Sequence, residues 1–187
     1  MFSGSEQYFQ TRGNGFGSYD AIFPRYTYRL AVGDHLYVAA NDTYELRRFT
    51  PDGVLTGLVR RTHTPVPVTR EHVNLERDRR LAEAASNEAR SRLVEALDAM
   101  PIPDTFPAYH LVRADDDRNV WVKEYPVPGI TEATWFVYDP DGFLVAHVAV
   151  PLDVDPTHIG RDFLLGRWRG DLNVEHVQLY DLMKPGQ

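Results

Sequence analysis

The feature that most constrains this chain is a repeated turn. Phe49-Thr50-Pro51-Asp52-Gly53-Val54-Leu55 recurs as Tyr138-Asp139-Pro140-Asp141-Gly142-Phe143-Leu144, flanked each time by alternating apolar residues. Asp-Gly supplies the left-handed backbone of a tight strand connection, and the Pro before it fixes φ on the way into the turn. Each copy therefore reads as a β-hairpin, with residues 44–49 and 135–138 as third strands and 55–60 and 144–150 as fourth strands. Upstream, Gly33-Asp34-His35-Leu36-Tyr37-Val38 and Asp117-Arg118-Asn119-Val120-Trp121-Val122 share a polar turn leading into a second strand.

A third copy follows as Arg161-Asp162-Phe163-Leu164-Leu165 and then Val177-Gln178-Leu179-Tyr180-Asp181; Val120 to Phe163 is 43 positions and Tyr138 to Tyr180 is 42. A period of this size with four short strands is that of one β-propeller blade. The spacing from Leu36 to Val120 is 84, and the excess is an insertion at about 69–100. Thr69 is placed to cap a helix, and Val73, Arg77, Leu81, Ala85, Ala89, Leu93 and Leu97 follow at every fourth position, which predicts one long α-helix stopped by Pro101 and Pro103. Its charged residues, among them Arg77, Arg79, Arg80 and Glu76, read as a solvated face laced by ion pairs. The fold class expected is all-β: a single domain over 1–187, a partial propeller of about three to four four-stranded blades with that one inserted helix. Aromatic residues at 12% and thirteen Gly beside thirteen Pro agree with strands joined by turns.

A net charge of −7 argues against nucleic acid and anionic membranes as partners, since both reward Lys and Arg. The absence of Cys removes disulfides and thiolate chemistry. No apolar run approaches the roughly 20 residues of a membrane-spanning helix, and Met1 to Gln10 lacks the basic and apolar regions of a signal peptide.

The segments Gly33 to Arg47, Pro51-Asp52-Gly53, Val59-Arg60-Arg61, Asn119-Val120-Trp121-Val122-Lys123-Glu124-Tyr125, Phe136 to Gly142 and Val174-Glu175-His176-Val177-Gln178-Leu179-Tyr180 together resemble the C-terminal half of bacterial six-bladed β-propellers related to NHL-repeat proteins. The resemblance runs across most of the chain. It implies an extracytoplasmic location, periplasmic or secreted, and a ring of which about half lies outside this sequence. An open ring leaves sheet faces to be covered by a missing half, a second copy or a foreign subunit.

Candidate chemistry is sparse. Asp115-Asp116-Asp117-Arg118-Asn119 has spaced oxygens, but the calcium-loop pattern needs Gly where Val120 stands, so it reads as a turn between strands. The seven His show no metal-ligand spacing, although His158 and His176 could meet near a propeller axis. Gly13-Asn14-Gly15-Phe16-Gly17-Ser18 falls short of a dinucleotide fingerprint and reads as a mobile loop. No Gly-x-Ser-x-Gly elbow supports a hydrolytic triad.

The expectation is a non-catalytic propeller module with no cofactor, binding a protein partner or serving as an extrinsic or scaffold subunit of a larger complex. Peripheral association with a membrane-bound complex stays open. Tyr19, Phe23, Tyr26, Tyr28, Arg77, Arg80 and Trp168 are the candidate partner-binding residues, because Tyr, Trp and Arg are favoured interface anchors. The alternatives are a metal-dependent propeller enzyme, gluconolactonase-like or an NHL-type lyase, and a small-ligand or glycan binder using Trp121, Trp135 or Trp168.

Overall fold

A computed structural model of the chain describes residues 2–12, 15–170 and 174–183. In chain order, β1 (Phe2–Ser5), β2 (Gln7–Arg12) and β3 (Gly15–Asp20) precede a four-strand meander of β4 (Tyr26–Val32), β5 (His35–Ala40), β6 (Glu45–Phe49) and β7 (Leu55–Arg60). Two helices follow, α1 (Arg70–Ala82) and α2 (Asn87–Ala99), and then a second meander of β8 (Leu111–Ala114), β9 (Val120–Lys123), β10 (Glu132–Tyr138) and β11 (Leu144–Pro151). The described chain closes with β12 (Asp155–Ile159), β13 (Phe163–Arg169) and β14 (Glu175–Asp181). Every pairing is antiparallel, and the sheets run β1-β4-β5-β6-β7, β8-β9-β10-β11, β12-β13-β14 and the separate hairpin β2-β3. The chain is thus mostly β in several sheets, none of them closed.

The two copies of the repeated turn agree atom for atom in their main-chain bonding. Gly53 donates its N–H to Thr50 O and Thr50 to Val54 O; Gly142 donates to Asp139 O and Asp139 to Phe143 O, all at 2.9 Å. Both glycines have positive φ, 83° and 93°, the conformation the Asp-Gly sequence requires. The register also slips at the same place in each, between Arg48 and Phe49 and between Val137 and Tyr138.

Alternation fixes which faces pack. Tyr28, Leu30 and Val32 of β4, with Tyr37, Leu46 and Val59, are buried against Val112, Val120, Val122, Phe136 and Tyr138 of the second sheet. The opposite face of that second sheet carries Trp121, Trp135, Val137 and Val150, which pack on Ile159 and Leu164 of the third. The second sheet is therefore covered on both sides, which is why all of β9 is buried despite its four-residue length. β4 of the first sheet and β8 of the second lie side by side.

The stretch 69–100 corrects the expectation of one long helix. Four residues advance about 400° on an α-helix, so a strict every-fourth-residue row drifts about 40° per step and cannot stay on one face over seven positions. The chain breaks at 83–86 instead: the Glu83 N–H caps onto Arg79 O, and Ser86 starts α2 by accepting the Ala89 N–H. Thr69 does cap α1, in a reciprocal box with His72. Val73, Leu97 and Met100 pack on Ile22, Phe23 and Phe106, which holds the helix pair over the start of β4. Among the described residues no helix is long and apolar enough to cross a membrane.

The Gly-rich N-terminal segment also departs from the loop expected. Gly13 and Asn14 lie outside the described residues, while residues 15–20 form β3 and pair with β2 in register Tyr8 to Tyr19. The alternating aromatics explain it: Tyr8 and Tyr19 pack toward the helices, and Phe9 and Phe16 stack on the other face with ring centroids 5.5 Å apart.

Candidate functional site

A cleft of about 780 Å³ opens between α1 and the starts of β4 and β8. Its floor is aromatic. Tyr26 comes from the first residue of β4, Tyr19 from β3, Phe23 from the connection between them, and Tyr125 from the Tyr125-Pro126-Val127-Pro128 segment after β9. Phe23 lies 6.5 Å from Tyr125 with the rings nearly perpendicular, and His110 meets Tyr125 edge-on at 5.7 Å.

One wall is the polar side of α1. Glu76 accepts from Arg79 Nε and Nη2 at 2.8 Å each and from Arg80 Nε at 2.6 Å. Arg79 Nη1 donates to Glu83 at 2.8 Å, while Arg80 reaches across to donate to the main-chain oxygens of Asp20 and Ala21 at 2.7 and 2.8 Å. Glu76 and Arg80 side chains are each only 13% exposed, so this pair is part of the wall and not of the solvated face expected from sequence. Burial raises the Glu76 carboxyl, but hydrogen bonds from Arg79 and Arg80 outweigh it and hold the group below the usual carboxylate range. Counting Asp20, Glu76 and Glu83 against Arg79 and Arg80, the lining carries one surplus negative charge.

The floor stays neutral. Burial, reinforced by the positive charges of Lys123 and Arg113, lowers the His110 imidazole to about 4. Its Nδ1 is buried with no hydrogen-bond partner among the described residues. Burial, then the field of Asp20, raises the Tyr26 phenol, and burial followed by Glu76 does the same for Tyr125. Both phenols therefore remain hydrogen-bond donors through the neutral range.

What holds the floor in place is Asn41, fully buried in the turn just after β5. Its Oδ1 accepts the Tyr26 N–H at 2.7 Å and its Nδ2 donates to Tyr109 O at 2.8 Å, while Ala108 N–H donates to Asn41 O at 2.8 Å. One amide side chain thus ties the residue that opens β4 to the segment that opens β8. The Tyr28 hydroxyl, which bonds His110 O, adds a second tie.

Of the seven residues proposed from sequence, Tyr19, Phe23, Tyr26 and Arg80 meet in this cleft. Tyr28 lies in the core between the first two sheets. Arg77 pairs with Asp98 at 2.7 Å, joining α1 to α2, and Trp168 stacks on His176 at 4.5 Å in the third sheet. Sequence reading missed Asn41, Glu76, His110 and Tyr125 as site residues. Only the Pro-flanked Tyr125 carried a signal, an aromatic held in an irregular segment.

The other sequence candidates resolve into structure. Asp115 accepts from the Asn119 N–H, Asn119 Nδ2 and Trp121 Nε1 at 2.8 to 2.9 Å, which makes the Asp-rich stretch the inter-strand turn it resembles. Asp116 lies 3.3 Å from His158 and Asp117 2.8 Å from Arg161. His158 faces Leu165 and His176 faces Trp168 along β13, so the two imidazoles are not brought together. Trp121 and Trp135 are core residues. Among the described residues no group of three or more His, Asp or Glu is gathered as a metal site. Comparison with protein-family models, curated proteins and solved structures finds no match.

Proposed function

We propose that this chain is a partial β-propeller of the bacterial six-bladed, NHL-repeat-like type, working outside the cytoplasm as a non-catalytic interaction module in a larger assembly. The three main sheets correspond to three blades, with α1 and α2 as an insertion between the first and second. The reading rests on one observation above others: Tyr19, Phe23, Tyr26 and Arg80 converge in a cleft beside the seam where β4 meets β8, walled by an inserted helix pair. Concave surfaces built from aromatic and Arg side chains at such a position are where interaction energy concentrates. The outward faces of the first and third sheets add exposed Leu36, Leu58, Val177 and Leu179 for further subunits to cover.

Light scattering coupled to size exclusion on protein isolated from its source tests this. The expected result is a mass well above that of one chain, contributed by other polypeptides. A stable monomer with metal-dependent turnover would overturn the proposal.

A further inference from the structure

The cleft is selective as to what kind of segment enters it, and we infer that it takes a proline-rich, basic peptide in the polyproline II conformation. This inference rests on the interaction-module reading above. Four modes of recognising the interior of a peptide compete for such a site, and the residues present discriminate among them.

Strand addition needs a free main-chain edge. Here β4 is paired by β1 on one side and β5 on the other, and at the end of β3, paired by β2 alone, the Asp20 carbonyl already accepts from Arg80. At His110 the N–H donates to Lys123 O and the carbonyl accepts from the Tyr28 hydroxyl, so that backbone is used as well. Acidic or phosphorylated motifs need uncommitted Arg side chains. Arg79 and Arg80 are already engaged with Glu76, Glu83 and main-chain oxygens, and the surplus charge of the lining is negative. An amphipathic helix needs an aliphatic trough, whereas Leu75 and Leu93 are the aliphatic exceptions in a lining mainly of aromatic, prolyl and charged groups.

A polyproline II segment meets the opposite conditions. Its rings pack on flat aromatic faces, which Tyr19, Tyr26 and Tyr125 supply. Its carbonyls have no internal partners and accept hydrogen bonds, matching the Tyr26 and Tyr125 hydroxyls as donors. A basic residue in the segment would answer the net negative charge of the lining at Glu83, which lies two-thirds exposed and shares the Arg79 guanidinium with Glu76.

The test titrates the full chain by calorimetry with a synthetic peptide of repeated Pro-Pro-Arg, beside one with Ala for every Pro and one with Glu for every Arg. The expected result is saturable binding of the first, weakened about tenfold or more by either replacement and by Tyr26→Phe, which removes one hydroxyl while keeping the ring. Glu83→Gln should weaken the Pro-Pro-Arg peptide and narrow its preference over the Glu-for-Arg peptide. Equal binding of the Ala peptide, or no binding of the Pro-Pro-Arg peptide, would overturn the inference. If the native protein is still found in a heteromeric assembly when no peptide binds, this inference alone falls; a monomer that binds none of the peptides sinks the interaction-module reading with it.

Discussion

Replacing Asn41 by Ala probes how the first sheet is fastened to the second and, through that seam, how Tyr26 is held in the cleft. The substitution leaves the Asn41 main-chain bonds in place, the N–H to Tyr26 O at 3.0 Å and the carbonyl from Ala108 N–H at 2.8 Å. It removes the acceptor of the Tyr26 N–H and the donor to Tyr109 O. Tyr109 is fully buried and Tyr26 partly so. A buried polar group left unpaired costs about 1–3 kcal/mol, so the pair should cost about 2–5 kcal/mol. Against a typical total stability of roughly 5–15 kcal/mol this is a large fraction, equivalent to a fall in Tm on the order of 5–15 °C for a chain of this size. Urea unfolding should show the midpoint shifting with its slope unchanged. Asn41→Asp gives an internal check, because it keeps the acceptor for Tyr26 but sets a carboxylate against Tyr109 O; its defect should ease at acid pH, where the protonated carboxyl donates again. A loss below about 0.5 kcal/mol for Asn41→Ala, the level of an ordinary surface change, would refute the seam.

Further outcomes follow from other parts of the fold. Trp135→Ala, at a fully buried position between the second and third sheets, should cost about 3–5 kcal/mol in chemical denaturation. His110 takes a proton in the unfolded chain below pH about 6.5 but in the folded chain only near pH 4. Stability should therefore fall as pH drops through that window, by at most about 1.4 kcal/mol per unit, and His110→Phe should flatten the slope in thermal melts across it. Thr69→Ala removes one half of the α1 capping box and should cost about 1 kcal/mol, seen as faster amide exchange in the first turn of α1. Arg77→Ala, which breaks a pair whose Asp98 side is 61% exposed, should shift the melting curve by no more than about 1 kcal/mol.

Legibility in the sequence followed the range of the interaction. Asp52-Gly53 and Asp141-Gly142 impose their turns through local sterics, and strands with a period-two pattern flank them, so these two hairpins could be read directly. The helix break at 83–86 was signalled by Ser86 followed by Asn87 and Glu88, a good start for a new helix, but the row of apolar residues at every fourth position masked it. The strand at 15–20 was obscured by its glycines, whose weak propensity the pairing with β2 overrides. In the cleft, Tyr19, Phe23, Tyr26 and Arg80 were picked out by residue type, whereas Asn41 and His110 matter only because the first two sheets stack. Asn41 lies 68 positions from Tyr109 in sequence, and no local pattern announces such a bond.

Cross-linking mass spectrometry on the native assembly tests the central claim most directly. The account predicts links from the exposed carboxylates around the cleft, Asp20 and Glu83, to peptides of another polypeptide, lost when Tyr26→Ala is made in a chain that still melts cooperatively. Links from these positions that stay within the chain, in protein shown to be folded and isolated from its source, would contradict it.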